Sequence, residues 1–297
     1  MRARTVFRLA AGLTVVGAAT FGYASLIERN LFTLRRFDVP VLNPDEEPLR
    51  ILHLSDLHLT PGQQRKQRWV ADLAGLDPDL VVVTGDNIAH PGAIPGLMRA
   101  YGQLLRYPGA FVFGSNDYKG PLFKNPLGYF NKDREYVQGV DLPYEELRSL
   151  FTASGWVDLN NARTTIKAGG RSVELVGVDD PHVHRDAYPS VAGPISRTAD
   201  VHIGVTHTPE PSVLDAMASD GFSLLLGGHT HGGQVCVPGV GALVTNCGLD
   251  RRMAKGLHRW PSSSSWLHVS AGLGTHPTAP IRFACLPEAS LLTLVPR

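Results

Sequence analysis

Two histidines separated by one residue stand in a glycine-rich stretch, Gly227-Gly228-His229-Thr230-His231-Gly232-Gly233-Gln234. The stretch follows an apolar run, residues 222–226, that is typical of a buried strand ending at a turn. Side chains just beyond the carboxyl end of such a strand point into the crevice where open α/β sheets bind ligands. The glycines allow the backbone to pass close to whatever the imidazoles hold. The pair favours a metal site if the chain supplies further ligands; otherwise it is a polar loop with solvated histidines.

Further ligand-type side chains follow four other apolar runs. They are Asp56 and His58 after residues 51–54, Asp86 after residues 80–83, Asn116 after residues 111–113, and His207 after residues 201–205. Carboxylates, a neutral amide and imidazoles suit divalent cations such as Mn²⁺, Fe²⁺, Zn²⁺ or Ni²⁺. With His229 and His231 there are seven candidates, more than one ion needs. The set therefore predicts two divalent ions about 3.5 to 4 Å apart with a bridging carboxylate, the arrangement that supports phosphoryl transfer.

The elements that must position these side chains alternate along the chain. Apolar runs of strand length are separated by segments with helical spacing, such as residues 63–76 and 95–105. An order of strand, helix, strand, helix, strand indicates crossover connections in a layered α/β domain. An edge strand is expected at residues 37–41, and residues 291–295 are expected to form the last strand.

The amino terminus predicts a membrane segment. Residues 9–27 carry no charge, and nineteen residues are close to the roughly 20 that cross a bilayer. We therefore divide the chain into an anchor or signal at 1–30 and a catalytic domain at 31–297, and expect a membrane-anchored protein. A cleaved signal of a secreted protein is the alternative. Arginines flank the segment on both sides, so the side of the membrane stays open.

Composition narrows the partners. The net charge is +1, which gives no reason to expect nucleic acid as a partner. The three cysteines are widely spaced, with no CxxC pair, and support neither a zinc knuckle nor a disulfide framework. Any cofactor or substrate must therefore be held by a local site.

The motifs together resemble the calcineurin-like metallophosphoesterase superfamily. Its pattern of D-x-H, G-D, G-N-H-D, H and G-H-x-H is largely matched by Asp56-Leu57-His58, Gly85-Asp86, Gly114-Ser115-Asn116-Asp117, His207 and Gly228-His229-Thr230-His231. The start His-Leu-Ser-Asp-Leu-His and the amino-terminal segment are most similar to the bacterial branch of YkuE-like and YaeI-like phosphodiesterases and to UDP-2,3-diacylglucosamine hydrolases. The resemblance implies a four-layer α/β/β/α sandwich with two mixed β-sheets.

The resemblance also implies a ligand assignment. One ion is held by Asp56, His58, Asp86 and His231, and the second by Asp86, an asparagine-loop ligand, His207 and His229. Asp86 is the bridge. Such ions activate a water molecule near neutral pH and neutralise charge on the phosphoryl oxygens.

One motif departs from the family. Gly114-Ser115-Asn116-Asp117 stands where the family has Gly-Asn-His-Asp, so ungapped matching puts Ser115 at the ligand position. We prefer Asn116 as ligand, since serine is a poor neutral ligand, and we assign catalytic roles to Asn116 and Asp117. The histidine that protonates the leaving group is missing, and we hypothesise that His182, His184 or His276 replaces it or that substrates have acidic leaving groups.

These inferences lead to a metal-dependent phosphoesterase that hydrolyses phosphodiester or pyrophosphate bonds. A lipid or envelope substrate is favoured by the anchor and by aromatic and basic residues at 118–139. The alternatives are a soluble nucleotide phosphodiesterase and a catalytically weak metal-binding scaffold.

Overall fold

The computed structural model describes residues 2–122, 139–261 and 263–297, so most of the loop at 118–139 lies outside the described residues. A helix, α1 (Arg2–Gly22), continues through a π-helical turn (Tyr23–Ile27) into a 3₁₀ turn (Glu28–Asn30). Its described apolar side chains are exposed, among them Leu13, Val16 and Phe21. Of the helices within the described residues, none is both long enough and apolar enough to cross a bilayer. The anchor and the boundary at residue 30 stay predictions.

Two six-stranded mixed sheets follow. The first sheet has the order β1-β14-β2-β3-β4-β5, with β1 (Thr33–Leu42), β2 (Leu49–Leu54), β3 (Leu80–Thr84), β4 (Gly109–Val112), β5 (Val157–Asp158) and β14 (Glu288–Pro296). The second has the order β12-β13-β9-β8-β7-β6, with β6 (Ala162–Ala168), β7 (Arg171–Gly177), β8 (Val201–Val205), β9 (Leu224–Gly227), β12 (Gly256–Arg259) and β13 (Trp266–Val269). A small hairpin joins β10 (Cys236–Val237) to β11 (Gly241–Ala242).

The order of strands in the first sheet differs from their order along the chain. Strand β14 lies between β1 and β2, parallel to β1 and antiparallel to β2. The expected edge position of β1 is confirmed, because β1 forms the border of its sheet. Its proline, Pro40, is tolerated because an edge strand has one side without ladder hydrogen bonds.

Alternating side chains create the layers. On the first sheet, Ile51 and Val82 join a buried cluster with Val173 and Ile203 of the second sheet, so the two sheets face each other. The opposite face of the first sheet packs against α2 (Gln64–Asp72), α3 (Ile94–Tyr101) and α5 (Tyr144–Ala153). The outer face of the second sheet packs against α6 (Pro211–Asp220). Because both faces of each sheet are covered, the inner strands β3, β4 and β9 are almost entirely apolar, and the predicted α/β/β/α sandwich is confirmed.

Two helices end at residues with a left-handed backbone conformation. Helix α2 tightens into a 3₁₀ turn, Leu73–Leu76, and stops at Asp77, which adopts a left-handed conformation with φ of 50° ahead of Pro78. Helix α6 stops at Gly221 with φ of 106°. A single four-residue turn, α4 (Ser115–Tyr118), follows β4 directly and carries the asparagine loop. Because β2, β3 and β4 run parallel to one another, and β8 runs parallel to β9, the loops that follow them leave each sheet at the same edge.

Candidate metal centre and active site

The first group of predicted ligands lies together. Asp56, His58, Asp86 and His231 each offer a ligand atom, and these atoms all lie within 4.8 Å of one another. His58 Nε2 lies 3.1 Å from His231 Nε2 and 3.3 Å from Asp86 Oδ2, and His231 Nε2 lies 3.4 Å from Asp56 Oδ1. Two loops of the first sheet and one of the second therefore converge on one point.

The second group lies next to it. Asp86 Oδ2 lies 3.5 Å from His207 Nε2, and His207 Nε2 lies 3.4 Å from His229 Nδ1. The Asp86 carboxylate thus contacts members of both groups, the position that a bridging ligand requires.

Asn116 and Ser115, the two candidate ligands of the asparagine loop, have different contacts. Asn116 donates from its backbone to Asp86 Oδ1 and from Nδ2 to Asp86 Oδ2, both at 2.8 Å, and it lines the cavity above the histidines. Ser115 is buried, and its backbone amide donates to Asp180 at 2.8 Å. Asn116 is therefore the residue of this turn that reaches the ligand cluster.

The backbone around the ligands is strained. Asp56, His58, Asp86, His229 and His231 all have positive φ, between 41° and 65°. Non-glycine residues are uncommon in this region, and such conformations are concentrated at functional sites. The residues with this strained backbone are therefore the ones whose side chains form the candidate ligand cluster.

Two glycines permit the close approach of these loops. A Cβ atom at Gly114 would lie 2.3 Å from Asp86 Oδ1, and one at Gly228 would lie 1.9 Å from Ser55 Oγ. A larger residue would displace Asp86 at the first position and, at the second, Ser55, which donates to Asp56.

The protonation of the site suits metal binding. Burial lowers the pKa of His58 to about 3 and that of His229 to about 4, and it lowers the pKa of His231 well below its usual value, so all three are neutral. His58 Nδ1 is buried without a hydrogen-bond partner among the described residues. Neutral imidazoles next to carboxylates form the donor set of a divalent cation, so the residues present fit the ions that the sequence predicts.

His207 differs from the other histidines. Burial alone lowers its pKa, but the carboxylates of Asp86, Asp180 and Asp56 outweigh burial and hold the pKa of His207 well above its usual value. Burial raises the pKa of Asp86, yet His207 and His58 together hold it well below its usual value. Without metal, Asp86 and His207 therefore form an ion pair, and a cation at this position displaces a proton.

Backbone carbonyl groups fix the imidazole rings. His207 Nδ1 lies 2.6 Å from the Thr84 carbonyl oxygen, and His231 Nδ1 lies 3.3 Å from that of Gly274. His229 Nε2 lies 3.2 Å from the Asn246 carbonyl oxygen. A partner on one nitrogen leaves the other directed at the site, which is how ligand histidines are oriented in metalloproteins.

A buried hydrogen-bonded chain holds Asp56. Ser55 Oγ donates to Asp56 Oδ2 at 2.6 Å, Thr84 Oγ1 donates to Ser55 Oγ at 2.7 Å, and His53 Nε2 lies 2.9 Å from Thr84 Oγ1. His53 Nδ1 in turn lies 2.9 Å from His268 Nδ1 of the second sheet. His53 is thus a packed residue of β2, outside the ligand cluster.

Asp117 serves the loops rather than the ligands. Its Oδ1 accepts from the backbone amides of Asn87 and Ile88, and its Oδ2 accepts from Gly114 N and Asn87 Nδ2. Every one of these donors belongs to the loops after β3 and β4. Asp117 therefore connects those two loops, and the catalytic role assigned to it stays a prediction.

Sequence reasoning missed several supporting residues. Gly274 and Asn246 contact ligand histidines through main-chain oxygens, and these have no side-chain signature. Arg282 is fully buried, and its guanidinium donates to the carbonyl groups of Ala271, Gly272 and Gly274.

A cavity of about 400 Å³ opens above the ligands. His58, Asp86, Asn116, His229 and His231 form its polar floor, and its apolar wall contains Val235, Leu243, Val244 and Ala279. His276 also lines it, with its ring 6.2 Å from that of His58. His182 lies beside the second group, its ring centroid 4.7 Å from that of His229. His184 is exposed.

Comparisons with known proteins agree with this geometry. The calcineurin-like phosphoesterase family matches residues 49–233. The phosphodiesterase YaeI of Escherichia coli strain K12 is 27% identical, over 99% of this chain and 100% of its own. The UDP-2,3-diacylglucosamine pyrophosphatase LpxG of Chlamydia trachomatis serovar D is 25% identical over 96% of both chains. A transmembrane protein with a metallophosphoesterase domain from Danio rerio is 26% identical, over 83% of this chain and 53% of its own.

The match covers more than half of the chain and contains the ligand-bearing loops from Asp56 to His231. The predicted resemblance is therefore confirmed. The chain belongs to the calcineurin-like phosphoesterase family and is a hydrolase of phosphoester bonds.

Proposed function

We propose that the protein is a two-metal phosphodiesterase or pyrophosphatase. The observation that carries the proposal is the position of Asp86, whose carboxylate lies 3.3 Å from His58 and 3.5 Å from His207. Asp56, His58, Asp86 and His231 hold one ion, and Asp86, Asn116, His207 and His229 hold the other. The ions supply an activated water and charge neutralisation at the phosphoryl group.

The protein's own side chains then have distinct tasks. Ser55 and the chain behind it orient Asp56, and the carbonyl groups of Thr84, Gly274 and Asn246 orient the three imidazoles. Asn116 bonds to Asp86 and faces the cavity, so it serves both as ligand and as a contact for a phosphoryl oxygen. Orientation of this kind keeps the charge distribution fixed while the reaction proceeds.

The proton for the leaving group comes from a residue outside the asparagine loop. His276 is the best placed of the three candidates, because it lines the cavity beside the first group of ligands. Burial lowers the pKa of His182 to about 3, which makes that imidazole a poor proton donor at neutral pH. His184 is exposed and has the weakest case.

The substrate class that we favour is a lipid-linked phosphoester. The apolar wall of the cavity offers a surface for acyl groups beside a floor that binds phosphate. LpxG, named as a pyrophosphatase of a diacylated sugar nucleotide, is similar over nearly the whole chain. Residues 1–30 hold the domain 31–297 at a membrane through exposed apolar side chains such as Leu13, Val16 and Phe21.

The first experiment measures hydrolysis of bis-p-nitrophenyl phosphate by the full chain, freed of metal and then titrated with Mn²⁺, beside Asp86→Asn. Turnover that requires metal and disappears in the variant supports the enzyme. Binding of two ions without turnover of any diester would favour a metal-binding scaffold, which the missing loop histidine makes the second candidate. Turnover of nucleotide diesters that exceeds that of lipid diesters would replace the lipid substrate with a soluble one.

A further inference from the structure

A second cavity lies behind the metal-ligand loop. It has a volume of about 240 Å³ and lies where the end of the amino-terminal segment, Arg29 and Asn30, meets the start of α2, residues 62–66, and the turn at Gly274. It shares no lining residue with the cavity above the histidines. The catalytic reaction described above makes no use of it.

The start of α2 breaks the usual rules for a helix amino terminus. No side chain caps it and no acidic residue stands in its first turn, while Arg65 and Lys66 do. Cations there oppose the helix dipole. Among the described residues, the backbone amides of Arg65 and Lys66 have no acceptor. Local rules that are broken without compensation mark functional sites, and an anion at this helix end would satisfy both the amides and the dipole.

The positive charges around the cavity are uncompensated. Within the described ranges, Arg29, Arg65 and Lys66 form no ion pair with a carboxylate. Arg29 Nε is buried and has no hydrogen-bond partner in the described structure.

Lys66, which lies deeper in the protein, likewise has no carboxylate partner within the described residues. It is only 6% exposed, and its ammonium, which has three donors, donates to the Leu57 carbonyl at 2.8 Å. Burial and the guanidinium groups of Arg282 and Arg29 lower the pKa of Lys66 to about 7. An anion in the cavity would offset this repulsion and favour the charged form of the Lys66 amine.

We propose that this cavity binds the phosphate group of a phosphoester through Arg29, Arg65, Lys66 and the first amides of α2. Guanidinium, ammonium and amide donors that line one cavity suit the tetrahedral oxygens of a phosphate. The favoured source is a phospholipid head group, because Leu26 and Ile27, which are 71% and 51% exposed, directly precede Arg29. The other source is a soluble phosphoester. Phosphate binding at this site does not require the catalytic reaction, so this proposal and the proposed function can be refuted independently.

The test compares Arg29→Gln/Arg65→Gln with Arg68→Gln in the full chain. Arg68 is exposed on the same helix and does not line the cavity, so its loss makes a matched charge control. Vesicle flotation measures binding to phosphatidylcholine with and without phosphatidylglycerol. Calorimetry measures the binding of inorganic phosphate by the chelator-treated protein, in which the catalytic ions cannot compete.

We expect the double variant to bind phosphate and phosphatidylglycerol vesicles at least tenfold more weakly than the wild type, since each basic residue near an anionic surface contributes about 1 kcal/mol. Arg68→Gln keeps most of both. Loss of phosphate binding alone, with unchanged vesicle binding, identifies the soluble phosphoester as the source. If the double variant matches Arg68→Gln in both assays, there is no such site. Arg65→Gln alone, at an exposed position, repeats the comparison if the double variant does not fold.

Discussion

Replacing Asp86 by asparagine removes the one charge that both groups of ligands share. The change keeps the size of the side chain but leaves His58 and His207 without the carboxylate that lies 3.3 and 3.5 Å from them. The Asn116 side chain, which donates to Asp86 Oδ2, then faces either an amide nitrogen or an oxygen that has lost its charge.

The magnitude follows from the distances. Two unit charges about 4 Å apart interact by roughly 4 kcal/mol at an effective dielectric constant near 20, and a divalent ion at ligand distance exceeds this. A loss of about 4 kcal/mol is about a thousandfold in Kd. Because a bridging ligand serves both ions, we expect the affinity of each ion to fall by roughly a thousandfold or more.

Calorimetric titration of the metal-free full chain with Mn²⁺ measures this directly. Asp250→Asn is the control, since Asp250 pairs with Arg252 on the surface and should leave both affinities unchanged. The variant's urea denaturation without metal shows whether it is folded. Two sites of nearly wild-type affinity in a folded Asp86→Asn protein would refute the bridging role, and the loss of one site alone would reduce Asp86 to a ligand of a single ion.

Three further changes separate the roles assigned above. Asp117→Asn places an amide group against Gly114 N and Asn87 Nδ2. We expect the free energy of unfolding, measured by urea denaturation, to fall by about 1–3 kcal/mol for each donor left unsatisfied. Unchanged stability together with lost activity would support a catalytic role for Asp117. His276→Gln should slow hydrolysis of alkyl diesters by about a hundredfold and leave p-nitrophenyl diesters nearly unaffected, with His184→Gln as control; equal loss on both substrates would contradict proton donation. Because the raised pKa of His207 keeps it protonated in the metal-free protein, metal affinity should increase about tenfold per pH unit above pH 6.5 until that pKa is passed. Calorimetry in buffers of different ionisation enthalpy counts the released proton, and affinity that is independent of pH would show that His207 is neutral.

The sequence identified candidate ligands more readily than the groups that orient them. Asp56, Asp86 and His207 became candidates because each follows an apolar run, and the carboxyl ends of neighbouring strands meet at one edge. The four-layer arrangement was likewise accessible, through the resemblance to a known family. The choice of Asn116 over Ser115 followed from ligand chemistry and stays a prediction; in the structure Asn116 hydrogen-bonds to Asp86.

The remaining features depend on contacts between distant parts of the chain. Carbonyl groups such as that of Gly274 orient an imidazole without any residue-type preference, so no motif predicts them. Arginine is rarely buried, so the burial of Arg282 beneath three carbonyl groups follows only from tertiary packing. The uncapped start of α2 and Arg29 line one cavity only through tertiary packing, since more than thirty residues separate them in the chain.

The place of β14 in the first sheet sets a limit on when the protein can mature. Strand β14 separates β1 from β2, and β2 leads directly to Asp56 and His58. During synthesis β2 and its loop emerge long before residues 288–296, so the sheet lacks an inner strand until those residues leave the ribosome. The domain therefore completes its folding after translation of that segment, and a nascent chain halted earlier presents an open sheet edge with no finished site for metal to occupy.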